Sequence, residues 1–221
     1  MAQAPVSRMK KKDIIDLSRR KCKHNHSIIG YHCQSWDGCP EERIGFLDIE
    51  TTDFKADRGI VICYCLRDLK TRKVYSAKIS GKDMLSQNKD KKVLRQFLKD
   101  LSGFDRVITF YGKGFDVPFL RTRALIRGLE FPFYGEITHD DIYFIARSKL
   151  RLSRNSQENV AKMITGRTEK THFDFKVWEA ARDGKVWAIN KVYIHNLKDI
   201  NDLERIYHKI INFSRKQNSS I

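Results

Sequence analysis

The sequence predicts an α/β fold in which a mixed β-sheet is flanked by helices. The first observation is a row of three short strand-like segments between residues 44 and 79. The second is the order of the later segments, a helix, a fourth strand and then mostly helices, which gives a β-β-β-α-β-α core. Because 41% of the 221 residues are hydrophobic, the chain has enough apolar side chains to fill the interior of such a domain.

The predicted strands differ in pattern. Residues 44–50 begin apolar and end acidic, whereas residues 60–66 are apolar throughout and are expected to be fully buried. Residues 73–79 form a third strand after a turn at 68–71. A fourth strand is predicted over 106–110.

Helices are predicted where apolar residues recur every three or four positions. Residues 91–101 show this spacing clearly. A helix over 116–128 carries Pro118 in its first turn, where the missing N–H costs nothing. Further helices are predicted over residues 141–149, 157–164, 175–182 and 191–213.

The chain divides by composition into two parts. Residues 1–40 form a basic extension containing cysteines and histidines, with a candidate short helix over 9–20, and residues 41–221 form the α/β domain. The formal charge of +16 predicts nucleic acid as partner and not a membrane, because no long amphipathic basic helix is evident. With five cysteines, an odd number, and no apolar export signal, a cytoplasmic protein without a disulfide framework is expected.

The basic extension offers ligands for a structural zinc ion. The candidate ligands are Cys22, His24, His26, Cys33 and Cys39. The common Cys-x-x-Cys spacing is missing from the sequence, so a loosely packed extension without zinc is the alternative.

Acidic residues in three separate segments are the candidates for catalysis. Asp48 and Glu50 stand two apart on the first strand, so both point to one face, where Mg²⁺ or Mn²⁺ would relieve their repulsion. Asp116 begins a helix after a glycine-containing loop. His195 and Asp199 are four apart and share one face of a helix. Taken singly, the three segments also have structural explanations: solvated acids, a helix cap and a surface pair.

Taken together, these segments resemble the motifs of the DEDD superfamily of 3′→5′ exonucleases, which have the ribonuclease-H-like fold. The second motif is similar to that of family B polymerase proofreading domains, and the third to that of stand-alone ribonuclease-H-like proteins. The resemblance covers residues 43–213. In chain order, the motifs are Phe46-Leu-Asp-Ile-Glu-Thr-Thr52, Tyr111-Gly-Lys-Gly-Phe-Asp-Val-Pro-Phe-Leu120 and His195-Asn-Leu-Lys-Asp199.

The resemblance implies a role for each matching position. Two Mg²⁺ or Mn²⁺ ions would bridge the scissile phosphate. His195 would orient or deprotonate the attacking water. The implied metal ligands are Asp48, Glu50, Asp116 and Asp199. The implied substrate contacts are Thr51, Thr52, Tyr111 and Phe115. Two positions depart from the usual motifs. The third motif usually has Tyr four residues before its Asp or His five before it, whereas His195 stands four before Asp199, and Tyr111 stands where Asn is usual.

The implied function is metal-dependent 3′→5′ hydrolysis of DNA or RNA that is single-stranded or has a free 3′ end. A basic stretch over 147–154, close to Tyr143 and Phe144, suits a single strand or is a solubilising loop. Asp140 and Asp141 are further acids, of which Asp141 is expected to cap a helix and not to bind metal. The alternatives are a nucleic-acid-binding module without catalysis and an integrase-type nuclease with fewer acids.

Overall fold

The structure, a computed structural model, describes residues 42–214 of the chain. The predicted helix over 9–20 and the five candidate zinc ligands lie outside the described residues. Five strands and seven α-helices are found within 42–214. The strands are β1 Ile44–Thr51, β2 Val61–Asp68, β3 Val74–Lys78, β4 Arg106–Thr109 and β5 Thr138–Asp141. The helices are α1 Gly81–Met84, α2 Lys91–Leu101, α3 Asp116–Ile126, α4 Ile142–Lys149, α5 Gln157–Thr165, α6 Phe175–Arg182 and α7 Val186–Ile210, and a 3₁₀ turn, Ile211–Phe213, comes after α7.

The sheet is mixed and has β1 at its centre. Its strand order is β3-β2-β1-β4-β5. β1 and β3 are antiparallel to β2, whereas β4 is parallel to both β1 and β5. The carboxyl ends of β1, β4 and β5 therefore meet at one edge of the sheet, and the loops after these three strands are brought close together there.

Two apolar layers cover the two faces of the sheet. Leu47 and Ile49 pack in the layer that includes the buried side chains of α2 and α3. Phe46 packs in the other layer, with Ile200 of α7. Since alternate residues of a strand share a face, Asp48 and Glu50 point to the same side as Phe46, toward α7.

No helix in the described range 42–214 is long and apolar enough to cross a membrane.

The predicted α/β architecture with a mixed sheet is confirmed. The bounds of α2 and α6 are those predicted, and β2 is buried along its whole length. The last long helix begins at Val186 and not at residue 191. Two elements were not predicted: α1, which has only four residues, and β5, whose sequence Thr-His-Asp-Asp carries no apolar alternation. β5 forms because its backbone pairs with β4.

Candidate active site

The central strand β1 supplies two acidic side chains. Asp48 and Glu50 alternate with the buried Leu47 and Ile49 and are themselves partly accessible. Asp48 Oδ2 accepts a hydrogen bond of 2.5 Å from the side-chain amide of Asn196 on α7. The pairing of β1 with β2 becomes irregular directly after Glu50. Both carboxylates therefore lie at the end of the regular strand, under α7.

The third acid, Asp116, comes from the first turn of α3. Its side chain is buried, and its Oδ1 accepts a 3.2 Å hydrogen bond from the backbone N–H of Ile49. The residue at the N-cap of α3 is Phe115, which makes no capping bond. Asp116 is therefore aimed at β1, at the residue between Asp48 and Glu50, and the helix-cap alternative does not describe it.

The loop that leads into Asp116 is held by Asp141. Asp141 Oδ1 accepts from the backbone N–H of Tyr111 at 2.8 Å, and Oδ2 accepts from that of Lys113 at 2.9 Å. The same residue caps α4 by accepting from Tyr143 N, as predicted. Tyr111 has φ +68°, in the left-handed region, and a Cβ at Gly114 would lie 2.5 Å from the Tyr111 ring. Asp141 thus fixes a strained turn that positions the metal-ligand candidate Asp116.

The long helix α7 places His195 and Asp199 one turn apart on the same face. His195 Nε2 lies 3.7 Å from Glu50 Oε1 and 3.7 Å from Asp199 Oδ2. The other ring nitrogen, Nδ1, shares a 2.7 Å hydrogen bond with Thr171 Oγ1. The ring of Phe173 packs against the imidazole with 5.2 Å between centroids. These contacts orient the imidazole so that Nε2 faces the acids.

A lysine also enters this site. Lys170 Nζ lies 3.0 Å from Asp199 Oδ2. The loop that carries Lys170 is fixed to α7 by the fully buried Asp202, which accepts from Thr168 Oγ1 at 2.6 Å and from Glu169 N at 3.1 Å. A positive charge is thereby held among the carboxylates by a rigid support.

Crowding of the carboxylates is evident in their pKa values. Burial raises the pKa of Asp48 well above its ordinary value, and the charges of Asp116, Asp199 and Glu50 raise it further. Burial, followed by the charge of Asp199, also raises the pKa of Glu50 well above the ordinary value. Burial raises the pKa of Asp116 to about 7. These acids therefore repel one another, and the charged form of the cluster needs a cation.

The pKa values of the two basic groups of the site are shifted in opposite directions. Burial lowers the pKa of His195, so its ring is neutral at pH 7. For Lys170, burial disfavours the charged form, but the charges of Asp199, Asp48 and Glu50 and the hydrogen bond to Asp199 together outweigh it and raise the pKa. The site therefore contains a neutral imidazole and a charged ammonium.

The residues present fit a divalent metal ion. Glu50, His195 and Asp199 each offer a ligand atom, and these atoms lie within 4.8 Å of one another. Asp199 Oδ1 is buried without a hydrogen-bond partner among the described residues, which leaves it available to a cation. Carboxylate oxygens are the ligands that Mg²⁺ and Mn²⁺ prefer. A bound divalent cation would offset both the burial and the repulsion that raise the pKa values of Asp48 and Glu50.

Exposed aromatic rings belong to, or pack against, the loop that leads into Asp116. The Tyr111 ring is 46% exposed and packs edge-on against Tyr143, with 4.8 Å between centroids, and Phe144 lies 6.3 Å from Tyr111. At the other end of the same loop, Phe115 packs against Phe54, which is 86% exposed. Exposed rings of this kind can stack on nucleic-acid bases.

The structure brings the predicted catalytic residues together, and the predicted substrate contacts belong to the loops next to them. The catalytic set consists of Asp48, Glu50, Asp116, His195 and Asp199. Thr51 and Thr52 come directly after Glu50, and their hydroxyls bond within the loop after β1, to Asp53 O at 2.8 Å and from Ile60 N at 3.0 Å, respectively. These two hydroxyls therefore shape the loop.

Three supporting residues, Lys170, Thr171 and Asn196, were not predicted from the sequence. A fourth, Asp141, was predicted to cap a helix but not to support the Tyr111 loop. Asn196 stands inside the third motif, so the motif itself could have pointed to it. Lys170 and Thr171 belong to an irregular segment before α6, where no periodicity marks a functional residue.

Comparison with known proteins agrees with this architecture. The family model described as RNase_H superfamily matches residues 45–211. Comparison with curated proteins gives no match. Among solved structures, the family B DNA polymerase from the hyperthermophilic archaeon Pyrobaculum calidifontis is similar, with a TM-score of 0.62 and 16% identity over 78% of this chain and 25% of that chain. The chain thus spans a quarter of the polymerase, and the similarity concerns the fold. Because the family model matches most of the chain, this protein belongs to the RNase_H superfamily.

Proposed function

We propose that the protein is a metal-dependent 3′→5′ exonuclease that hydrolyses the phosphodiester bonds of DNA or RNA. One observation carries the proposal. Three segments distant in the sequence deliver carboxylates and a histidine to the end of β1, where the pKa values of three carboxylates are raised by burial. Crowded, perturbed acids of this kind are typical of functional sites.

The residues that would hold the metal ions are Asp48, Glu50, Asp116 and Asp199. The chemistry supplied by two bound Mg²⁺ or Mn²⁺ ions would be stabilisation of negative charge on phosphate oxygens and a lower pKa of bound water. Two observations support this assignment: Asp199 Oδ1 is buried without a partner among the described residues, and ligand atoms of Glu50 and Asp199 lie within 4.8 Å of each other.

The proton of the attacking water would pass to His195. The imidazole is neutral at pH 7 because burial lowers its pKa, so a ring nitrogen can accept a proton. When Nδ1 carries the ring proton and donates to Thr171 Oγ1, Nε2 presents its lone pair toward Glu50 and Asp199. The ammonium of Lys170, on the same side as Asp199, would attract a phosphate oxygen.

Substrate would be held by the groups that surround the acids. Tyr111 and the rings next to it offer faces on which bases can stack, and Phe115 and Phe54 offer a second pair. Thr51 and Thr52 border the site directly after Glu50 and would lie against the terminal nucleotide.

The test uses end-labelled single strands of DNA and RNA, each with a free or a blocked 3′ end, incubated with Mg²⁺ or Mn²⁺. We expect stepwise shortening of free ends only. Asp48→Asn and Asp199→Asn should slow turnover by about 10³-fold or more. Without metal, Asp48→Asn should melt at or above the wild-type temperature, because it removes a charge from a repelling cluster. Asp57→Asn, an exposed acid in the loop after β1, is the matched control and should keep wild-type turnover.

A binding module without catalysis is the second candidate, and one observation favours it. Lys170 already occupies one oxygen of Asp199, as a structural ion pair would. Under this alternative, the wild-type protein shifts the mobility of the strand but never shortens it. Metal-dependent shortening that survives in Asp48→Asn would instead show that another site carries the activity.

A further inference from the structure

A second concave site is lined by Thr52, which stands two residues after Glu50 in the sequence. It is a cavity of about 260 Å³. Its walls combine the loop after β1, the α1 segment and the end of α6, and its principal lining residues are Thr52, Arg58, Ile60, Met84, Lys89 and Arg182. The volume is below the ~300–1,000 Å³ of pockets that enclose drug-sized ligands. It therefore suits one small group, such as a phosphorylated sugar.

The cavity has a cationic rim and an apolar floor. Arg58, Lys89 and Arg182 bring three positive charges, against the single carboxylate of Asp53, which pairs with Arg58 at 3.2 Å. Ile60 and Met84 are buried beneath them. Arginine and lysine around a small pocket are the groups that recognise phosphate, while an apolar floor accepts a sugar ring or the edge of a base.

Thr52 and Arg182 connect this cavity to the segments that carry the acids and His195. Thr52 stands two residues after Glu50, a step of about 7 Å along an extended chain. Thr52 is fixed in the wall because it exchanges hydrogen bonds with Ile60, N–H to O at 3.0 Å and N–H to Oγ1 at 3.0 Å. Arg182 donates to the carbonyl of Thr52, and it ends α6, whose Trp178 packs against His195. A ligand group in the cavity would therefore lie about one nucleotide from the reacting phosphate.

We propose that this cavity binds a phosphate carried by the nucleoside next to the bond that is cleaved. The inference rests on the proposed function, in which the terminal nucleoside lies against Thr51 and Thr52. Beyond that nucleoside, a 3′ phosphate would meet Arg58, Lys89 and Arg182. Two sources share this chemistry: the terminal phosphate of a 3′-phosphorylated strand, and the next phosphodiester of a strand that continues through the site.

The test measures binding of three single strands of one sequence to the full chain carrying Asp199→Asn, in Mg²⁺. One strand ends in a 3′ hydroxyl, one in a 3′ phosphate, and one is circular. We expect the 3′-phosphorylated strand to bind about tenfold more tightly than the 3′-hydroxyl strand. The double variant Arg58→Gln/Lys89→Gln should bring this ratio close to one. It should also reduce the salt dependence of binding of the 3′-phosphorylated strand, by about 0.7 in log–log slope for each phosphate that the protein no longer neutralises.

Lys55→Gln is the matched control, since it removes an exposed charge from the same loop without lining the cavity. If Lys55→Gln lowers the affinity ratio of the 3′-phosphorylated to the 3′-hydroxyl strand as much as the double variant does, the preference reflects non-specific electrostatic attraction and the proposal is overturned. Equal affinity of the Asp199→Asn protein for the two linear strands would also overturn it. Tight binding of the circular strand that also depends on Arg58 and Lys89 assigns the cavity to a continuing strand. The proposed exonuclease activity is tested separately. If wild-type protein binds the 3′-phosphorylated strand more tightly but shortens no strand, the cavity proposal stands and the proposed hydrolysis is contradicted.

Discussion

Lys170 Nζ and Asp199 Oδ2 lie 3.0 Å apart, joining the irregular segment before α6 to the face of α7 that carries His195 and Asp199. The lysine is well placed to neutralise the acids in metal-free protein, because its pKa is raised by Asp199 and also by Asp48 and Glu50. Its rigid support through Asp202 means that the charge stays close to the acids when a metal ion arrives. Lys170 and a bound metal ion would therefore compete for the same carboxylate.

Replacing Lys170 with glutamine should strengthen metal binding. Removing a positive charge next to the ligands lowers the repulsion felt by a divalent cation, so the Kd for Mn²⁺ should fall by on the order of tenfold. The same variant should melt at a lower temperature than wild type in EDTA, because the acids lose their counter-ion. Titration calorimetry and thermal melts measure the two effects.

Lys162→Gln serves as the control for Lys170→Gln. It removes the same charge from an exposed position on α5 and should leave both the Mn²⁺ affinity and the metal-free melting temperature within error of wild type. Weaker Mn²⁺ binding in Lys170→Gln would mean that the lysine supports the ligands and does not compete with the metal.

Thr171→Val should lower turnover by about 10- to 100-fold through loss of the hydrogen bond that orients the His195 ring. Valine has nearly the shape of threonine, so packing should be kept and the loss of one hydrogen bond should cost only about 1 kcal/mol of unfolding free energy. Single-turnover rates at saturating substrate measure the chemical step, while KM should stay near the wild-type value because Thr171 would not touch substrate.

A double-mutant cycle decides whether Thr171 acts through His195. His195→Ala alone should slow turnover by ~10²–10⁴-fold. In that background Thr171→Val should add little further loss, because the group that it orients is already gone. Full additivity of the two losses would instead assign Thr171 an independent role.

The stability of the metal-free protein should fall as the pH rises. Burial raises the pKa of Asp116 in the folded state to about 7 from an ordinary value of 3.8, so the unfolded chain releases this proton first. Stability from the protonated acid is therefore complete below about pH 4 and is lost as the pH passes through 7. Between pH 5 and pH 8 the loss is about 2 to 3 kcal/mol, and denaturant unfolding in EDTA measures it.

Two comparisons test whether the raised pKa of Asp116 causes this pH dependence of stability. Asp116→Asn cannot ionise, so its free energy of unfolding should vary less between pH 5 and pH 8. Mg²⁺ should raise the melting temperature of wild-type protein more at pH 8 than at pH 5, because the ligands must lose their protons to bind metal. Metal-free protein that is more stable at pH 8 than at pH 5 would contradict the raised acid pKa values.

The elements that sequence could predict are those whose pattern is local. β2 is a largely apolar run and α2 has apolar residues at helical spacing, so the local sequence alone predicts the burial of β2 and the helical conformation of α2. β5 is polar and owes its conformation to pairing with β4, a contact between distant segments that no local window contains.

The same distinction holds within the site. The sequence points to Asp48, Glu50, Asp116, His195 and Asp199 because the short motifs that contain them together resemble those of a known nuclease superfamily. Lys170 reaches Asp199 only because Thr168 and Glu169 bond to Asp202 far along the chain, and this long-range support leaves no local pattern. The positioning of supporting residues thus depends on tertiary contacts.

Asp141 should prove more important to stability and metal binding than its neighbour Asp140. Its carboxylate accepts from the backbone N–H groups of Tyr111, Lys113 and Tyr143, and it holds Tyr111 in the left-handed region. Asp141→Ala leaves three N–H groups without this acceptor and should cost about 2 to 4 kcal/mol of unfolding free energy. The released loop would no longer fix Asp116, so the Kd for Mn²⁺ should rise by about tenfold or more.

Asp140→Ala is the matched comparison, because Asp140 lies next in sequence and forms a partly exposed ion pair of 2.7 Å with Arg106. Its loss should cost about 1 kcal/mol or less and leave the Mn²⁺ affinity unchanged, since the Tyr111 loop keeps its acceptor. Urea unfolding and Mn²⁺ titration on both variants give the two differences. If Asp141→Ala bound Mn²⁺ as tightly as Asp140→Ala does, the loop would hold its shape unaided, and the position of Asp116 would have to depend on its hydrogen bond from Ile49 alone.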